Sequence, residues 1–261
     1  MLTISEADIE EMSSVLQSRV VTEVVSQVQG MLKQLGSVTL NIAVTGESGS
    51  GKSSFVHVFR GVADDSPGAA QTGVTEITSE ALAYTHPSVP TITLWDLPGI
   101  GTPTFKPDTY LEQVGFLQYD FFIIVGSERF REYHIQLANA IRQAGKRLYF
   151  VRNKVDSDLE ALFRRRSGKG LTEADILSQI RADCEVNLRK AGVKQAKVFL
   201  LSCFQPQSFD FHLLQTTIEK ELEGHKRHVF LLTLPNRSSA VIESKKTALA
   251  GTVWKRAIEA C

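Results

Sequence analysis

Gly46-Glu47-Ser48-Gly49-Ser50-Gly51-Lys52-Ser53 fits the pattern G-x-x-x-x-G-K-[ST] without a mismatch. It lies between an apolar β-type run, residues 40–45, and a helical run, residues 53–60. In that context the glycines let successive backbone N–H groups turn toward a di- or triphosphate. The candidate cradle is Gly46, Glu47, Ser48, Gly49, Ser50, Gly51, Lys52, Ser53 and Ser54. Lys52 is placed to neutralise β- and γ-phosphates, and the Ser53 hydroxyl to ligate Mg²⁺. The helix that follows presents its positive end to the same anion.

Two further strand ends carry matching chemistry. Thr91-Ile92-Thr93-Leu94-Trp95-Asp96-Leu97-Pro98-Gly99 is an apolar strand closing in D-x-P-G. Asp96 there is a candidate Mg²⁺ holder, and the Gly99 amide a sensor of the γ-phosphate. Arg147-Leu148-Tyr149-Phe150-Val151-Arg152-Asn153-Lys154-Val155-Asp156 closes in N-K-x-D. The Asp156 carboxylate matches the paired N1–H and N2–H₂ donors of guanine, which adenine lacks. Asn153 is expected to tie this loop to the phosphate loop, and the Lys154 stem to cover one face of the base. Together the three motifs specify a guanine-nucleotide-binding domain that takes GTP or GDP with Mg²⁺.

Apolar strand candidates at 39–45, 80–84, 91–95, 120–125, 147–151 and 197–201 alternate with helical candidates at 53–60, 109–118, 133–144, 173–190 and 210–222. That order predicts an α/β fold, a doubly wound and mostly parallel sheet with ligands at the carboxyl ends of its strands. The 80–84/91–95 pair, split by His86-Pro87-Ser88-Val89-Pro90, predicts an antiparallel hairpin. The expected domains are a helical segment over 1–37, the nucleotide domain over 38–224 and a helical segment over 225–261. In the first, Ser5 caps a valine-rich helix closed by Gly36, with a strand as the competing reading. In the last, residues 223–228 read as a polar linker before helices at 229–234 and 238–261, separated at Pro235. Residues 61–76 and 97–109 occupy the two switch positions, where the γ-phosphate drives order–disorder transitions.

The 261 residues are 43% hydrophobic and carry 29 basic and 29 acidic groups, which argues against bulk binding of nucleic acid. Three unpatterned cysteines, Cys184, Cys203 and Cys261, imply no disulfide framework or metal site and read as reduced thiols in the cytosol. No apolar run approaches the ~20 residues of a membrane span. Met1-Leu2-Thr3-Ile4-Ser5 shows neither a signal peptide nor a glycine at position 2 for myristoylation. The Arg164-Arg165-Arg166 run reads as a solvated insert, and Lys245-Lys246 and Lys255-Arg256 as a polar helix face, with contact to anionic lipid the competing reading for each.

The chain resembles the immunity-related GTPases, the interferon-inducible GTPases of vertebrates. The resemblance rests on Asn41 to Phe55, on Ala69-Ala70-Gln71-Thr72-Gly73-Val74, on Leu94-Trp95-Asp96-Leu97-Pro98-Gly99-Ile100-Gly101, on Tyr119-Asp120-Phe121-Phe122-Ile123-Ile124 and on Tyr149-Phe150-Val151-Arg152. Lys52 places it with the effector-like branch rather than the branch with methionine there. The resemblance implies weak GTP and GDP binding and slow hydrolysis. It also implies a GTP-state homo-oligomer built through the nucleotide faces, and association with related GTPases. It further implies a cytoplasmic protein acting in cell-autonomous defence at the surface of internal or vacuolar membranes. Thr72, Gly73 and Thr78 match switch positions of the family, and Glu76 matches an acid needed for hydrolysis. Family members continue well beyond residue 261, so the chain is expected to be a short form or a fragment, without the membrane-binding helices of that part.

No glutamine follows the D-x-P-G motif to orient an attacking water; Ile100 and Gly101 stand there. The expected intrinsic rate is therefore near the ~10⁻⁴ s⁻¹ of an unassisted small GTPase. Lys52, Gly99 and Glu76 are the catalytic candidates, with a group from a partner subunit as the alternative to Glu76. Ser202, after the last core strand, is a candidate for contacting the guanine O6 through its amide. Two function classes stay open: a GTP-hydrolysing, self-assembling switch, and a non-catalytic scaffold whose nucleotide pocket only stabilises the fold.

Overall fold

The computed structural model describes residues 37–63, 80–100, 107–164, 170–190, 192–193, 197–234, 242 and 245. The chain divides into two units, one spanning Thr39–Glu223 and one formed by Met1–Val38 with Gly224–Cys261.

The larger unit is a six-stranded sheet in the order β2-β3-β1-β4-β5-β6. Its strands are β1 (Leu40–Gly46), β2 (Leu82–His86), β3 (Val89–Asp96), β4 (Phe121–Gly126), β5 (Arg147–Arg152) and β6 (Lys197–Leu200). Every pairing is parallel except β2 with β3. The described helices of this unit are α1 (Lys52–Arg60), α2 (Pro107–Gln113), α3 (Glu132–Gln143), α4 (Val155–Arg164), α5 (Glu173–Lys190) and α6 (Phe211–Glu221). The expected doubly wound α/β fold is thus present, and the hairpin closes its edge.

Burial explains the strand composition. All six residues of β4, Phe-Phe-Ile-Ile-Val-Gly, are buried, as a strand covered on both faces requires. Edge strand β2 is instead mostly exposed, and its one buried side chain is His86. Pro90 lies in β3 ahead of its pairing with β1, which starts at Leu40 opposite Ile92, so its missing N–H breaks no bond to that neighbour. Below the sheet, Phe55 and Phe59 of α1 meet Phe211 of α6 at ring centroid distances of 6.4 and 6.3 Å. Phe55 and Phe59 are buried, and each such ring contributes on the order of 2–3 kcal/mol.

Register sets the chemistry. Val44 pairs with Asp96, Gly46 with Val125, Gly126 with Arg152, and Arg152 with Leu200. The carboxyl ends of the five parallel strands therefore line up along one edge of the sheet.

Three elements differ from the sequence expectation. The helix expected over 109–118 stops at Gln113, and a separate 3₁₀ turn follows at Phe116–Gln118. Gly115, with φ 67°, supplies the left-handed residue that ends the first helix. Helix α4 was not expected: only Val155 and Leu159 are buried on it, a stripe one turn long that periodicity does not reveal. Arg164, read as part of a solvated insert, is its last residue and pairs with Glu160 at 2.5 Å. The polar linker expected over 223–228 is mostly helix, because α7 spans Gly224–Thr233. Its buried apolar residues Val229, Phe230 and Leu231 lie in the second half, beside exposed Leu232, so its polar first turns resemble a linker. The helices expected over 5–35 and 238–261 lie outside the described residues, apart from helical Ile242 and Lys245.

Candidate nucleotide-binding site

The phosphate loop leaves β1 at Gly46 and enters α1 at Lys52. Two glycines are obligatory there for steric reasons. A Cβ on Gly46 would stand 1.9 Å from the Val125 carbonyl oxygen, and one on Gly51, at φ 90°, 2.5 Å from Asn153 Nδ2. The Ser50 amide donates to the Glu47 carbonyl at 3.2 Å, and Lys52 Nζ donates to that same carbonyl at 3.1 Å. The Lys52 ammonium is thus folded over the loop while its side chain is 7% exposed. The Ser50 hydroxyl is buried without a hydrogen-bond partner among the described residues.

The metal candidates meet. Ser53 Oγ donates to Asp96 Oδ2 at 2.6 Å, while Asp96 Oδ1 is buried with no partner among the described residues. Burial raises the Asp96 pKa, and the Ser53 hydrogen bond, Lys52 and His57 oppose that rise. A hydroxyl and a carboxylate side by side, one oxygen unsatisfied, form a hard-oxygen donor set that suits Mg²⁺. Gly99 follows on the same strand end, where the Ile100 amide donates to the Gly46 carbonyl at 3.0 Å.

The base loop is joined to the phosphate loop as expected. Asn153 Nδ2 donates to the Ser50 carbonyl at 3.0 Å, and Asn153 Oδ1 accepts from the Cys203 amide at 3.3 Å. Lys154 Nζ donates to the Gly49 carbonyl at 2.8 Å. Lys154 is the one non-glycine residue at positive φ, 61°, among the described residues. Holding it there costs about 1–2 kcal/mol and aims its stem across the loop. Asp156 stands in the first turn of α4, and its Oδ1 is a buried acceptor without a partner among the described residues. Ser202 is buried, and its Oγ accepts from the Gln205 amide at 3.2 Å. Ser48 and Gly49 are exposed at the loop tip, and Ser54 is half-buried on α1. Thr72, Gly73, Glu76 and Thr78 lie outside the described residues.

Sequence reasoning missed two supports. The Glu47 carboxylate accepts from the Ser127 amide at 2.9 Å, from Tyr133 Oη at 3.3 Å and from His134 Nε2. The Arg131 amide donates to His134 Nδ1, so the ring proton facing Glu47 sits on Nε2. Burial would raise the Glu47 pKa, but the hydrogen bond and attraction of His134, with the Ser127 amide, outweigh it and hold it at about 2. The second support is Tyr110 of α2. Its hydroxyl bridges Thr45 Oγ1 at 2.7 Å and the Pro98 carbonyl at 2.9 Å, fastening the D-x-P-G loop to β1. Neither carries a motif; each is a contact between residues 65 or more positions apart, except the short step to Pro98.

A Gly-rich loop between β1 and α1, an acid at the end of the neighbouring strand and an N-K-x-D loop on β5 define a P-loop guanine-nucleotide-binding domain. The chain matches the family described as "Interferon-inducible GTPase (IIGP)" over residues 5–261, and it belongs to that family. It is 40% identical over 259 residues to interferon-gamma-inducible GTPase 10 of Mus musculus, covering 98% of this chain and 61% of that one. It is 43% identical over 231 residues to interferon-inducible GTPase 1 of Mus musculus, covering 88% and 55%. The chain therefore spans between half and two thirds of the length of these relatives. Among solved structures, a dimerization-deficient mutant of Toc33 from Arabidopsis thaliana aligns at 16% identity and TM-score 0.49, covering 83% of this chain and 93% of that one.

Proposed function

We propose that this chain binds GTP with Mg²⁺ and hydrolyses it slowly, and that a GTP-driven homo-oligomer joined through the nucleotide faces completes the catalytic site. The observation that carries the reading is a pair of buried, unsatisfied carboxylate oxygens, Asp96 Oδ1 and Asp156 Oδ1, at one edge of the sheet. An unpaired buried acceptor costs about 1–3 kcal/mol, which a ligand with matching donors recovers. Asp156 then takes the guanine donor pair, Lys154 lies against the base, and Lys52 and the loop amides hold the phosphates. Ser53 and Asp96 would hold Mg²⁺, which would supply positive charge against that developing on the phosphate groups.

Slow turnover follows from the second switch. Ile100 is 2% exposed and bridged to Glu47, so that position offers no polar group to orient water. The missing group comes from Glu76 or from a second subunit. Family membership supports an extended reading: assembly with related GTPases, and innate-immune action of a cytoplasmic protein peripherally bound to internal or vacuolar membranes. No described helix is long and apolar enough to cross a membrane.

Calorimetric titration is expected to show GTP binding at least a hundredfold tighter than ATP. Equal affinities would remove the base-recognition role of Asp156. GTP turnover per molecule, with light scattering, is expected to climb with protein concentration. A concentration-independent rate would remove the assembly step, and no turnover would leave a nucleotide-stabilised scaffold. Co-sedimentation with membranes of interferon-treated cells tests the membrane reading, and protein confined to the supernatant overturns it.

A further inference from the structure

At the opposite edge of the sheet lies an open groove of about 1040 Å³, lined by side chains from α3, β5, β6 and α6. Five of its lining residues are cationic: Arg142, Lys146, Arg147, Lys197 and Lys220. Two are acidic, Glu221 and Glu223. Arg147 and Lys197 are the first residues of β5 and β6, whereas the nucleotide loops leave the last residues of the strands. Six residues of β5 separate the two edges by roughly 15–20 Å.

The charges are not balanced locally. Glu221 is taken up by Lys197 and by Tyr149 Oη, the latter at 2.7 Å, and Glu223 pairs with Arg147 at 3.6 Å. Arg142 donates to the neutral Asn139 Oδ1 at 3.1 Å. Lys146 donates to the neutral carbonyls of Leu117 and Tyr119 at 3.0 and 2.7 Å. Among the described residues these bonds position the two charges without pairing either with a carboxylate. Gly192, at φ 79°, lies beside Arg142: a Cβ added there would be in van der Waals contact with Nη2, at 3.8 Å. Leu148 and Val193 supply apolar wall.

We propose that this groove is a second anion site, specific for a compact ligand carrying several phosphate groups. Like charges gathered in a concave site repel one another, and a multi-phosphate anion relieves that repulsion while accepting charge-assisted hydrogen bonds. Guanidinium forks suit phosphate in particular. The volume accommodates a small, densely charged ring better than an extended acidic peptide.

Inositol hexakisphosphate titrated calorimetrically into the full chain tests this, with the nucleotide site saturated with GDP and salt at about 150 mM to suppress loose surface attraction. Micromolar binding is expected. Arg142→Glu with Lys220→Glu, both exposed, is expected to weaken it at least about tenfold, with GDP affinity changed less than about twofold. Arg142→Gln with Lys220→Gln is expected to fall between. A flotation arm separates the ligand's sources. Capture by vesicles containing phosphatidylinositol bisphosphate, lost in the reversal variant and absent with phosphatidylserine of equal charge, supports the same site and assigns it a lipid headgroup. Absence of binding in both arms, binding unchanged in the variant, equal capture by phosphatidylserine, or equally tight binding of poly-glutamate overturns the proposal.

Discussion

The two edges of this sheet present different chemistry to an anion. At the carboxyl edge the backbone does the positioning: Gly46 and Gly51 adopt positive φ, Lys154 is held at φ 61°, and two carboxylate oxygens are buried without partners among the described residues. At the amino edge the cations are long, mostly exposed side chains; Arg142 and Lys146 are pinned by neutral acceptors, and Arg147 and Lys197 pair with Glu223 and Glu221. The first edge is built from fixed backbone geometry and buried acceptors, the second from a concentration of side-chain charge. Substitutions at the first should therefore act through strain and lost specificity, and substitutions at the second almost purely through charge.

The sharpest break is Gly46→Ala. Its Cβ would collide with backbone at Val125, which cannot rotate away, so destabilisation of about 3 kcal/mol or more is expected in chemical denaturation. A loss under 1 kcal/mol would show that the loop relaxes freely. Lys52→Ala removes the ammonium folded over the loop and is expected to weaken GTP binding about a hundredfold by calorimetry, near 2.7 kcal/mol.

Asp156→Asn replaces one acceptor oxygen with a donor facing guanine. The GTP-over-ATP preference is expected to shrink by tens of fold, about 2 kcal/mol, with phosphate-loop contacts intact. Preference left unchanged would move base selection elsewhere. A further effect, of similar size, concerns Glu47, whose pKa of about 2 in the folded chain lies below its ordinary value of 4.5. A depressed carboxyl stabilises fully above about pH 4.5 and loses that contribution as pH falls toward 2. Denaturation of wild type should therefore show about 2 kcal/mol more acid loss across that window than Glu47→Gln, which has no carboxyl to protonate. Identical acid limbs would mean that the clamp to His134 contributes nothing to stability.

Legibility followed the range of the interaction. The phosphate loop, Asp96 and the N-K-x-D loop were readable because the chemistry demands particular residues at short spacing. Helix α4 was not, since its two buried residues make too brief a stripe. Helix α7 resembled a linker because the buried side chains described on it, Val229, Phe230 and Leu231, fall in one half. Glu47 read only as one member of the phosphate cradle, yet the partners of its side chain lie 80 to 87 residues away. The basic groove draws on residues from Arg142 to Glu223, and no local run of charge announces it.

The linear chain thus determined which groups are available for a nucleotide, and the order of strands and helices that brings their loops to one edge, because both are properties of short segments. Tertiary structure alone decided the parallel register that aligns those strand ends, the clamp of His134 on the phosphate loop, the bridge of Tyr110 between β1 and the D-x-P-G loop, and the gathering of five cations at the far edge. Each of these depends on distances between segments remote in sequence, and such distances exist only once the sheet has formed and its helices have packed against it.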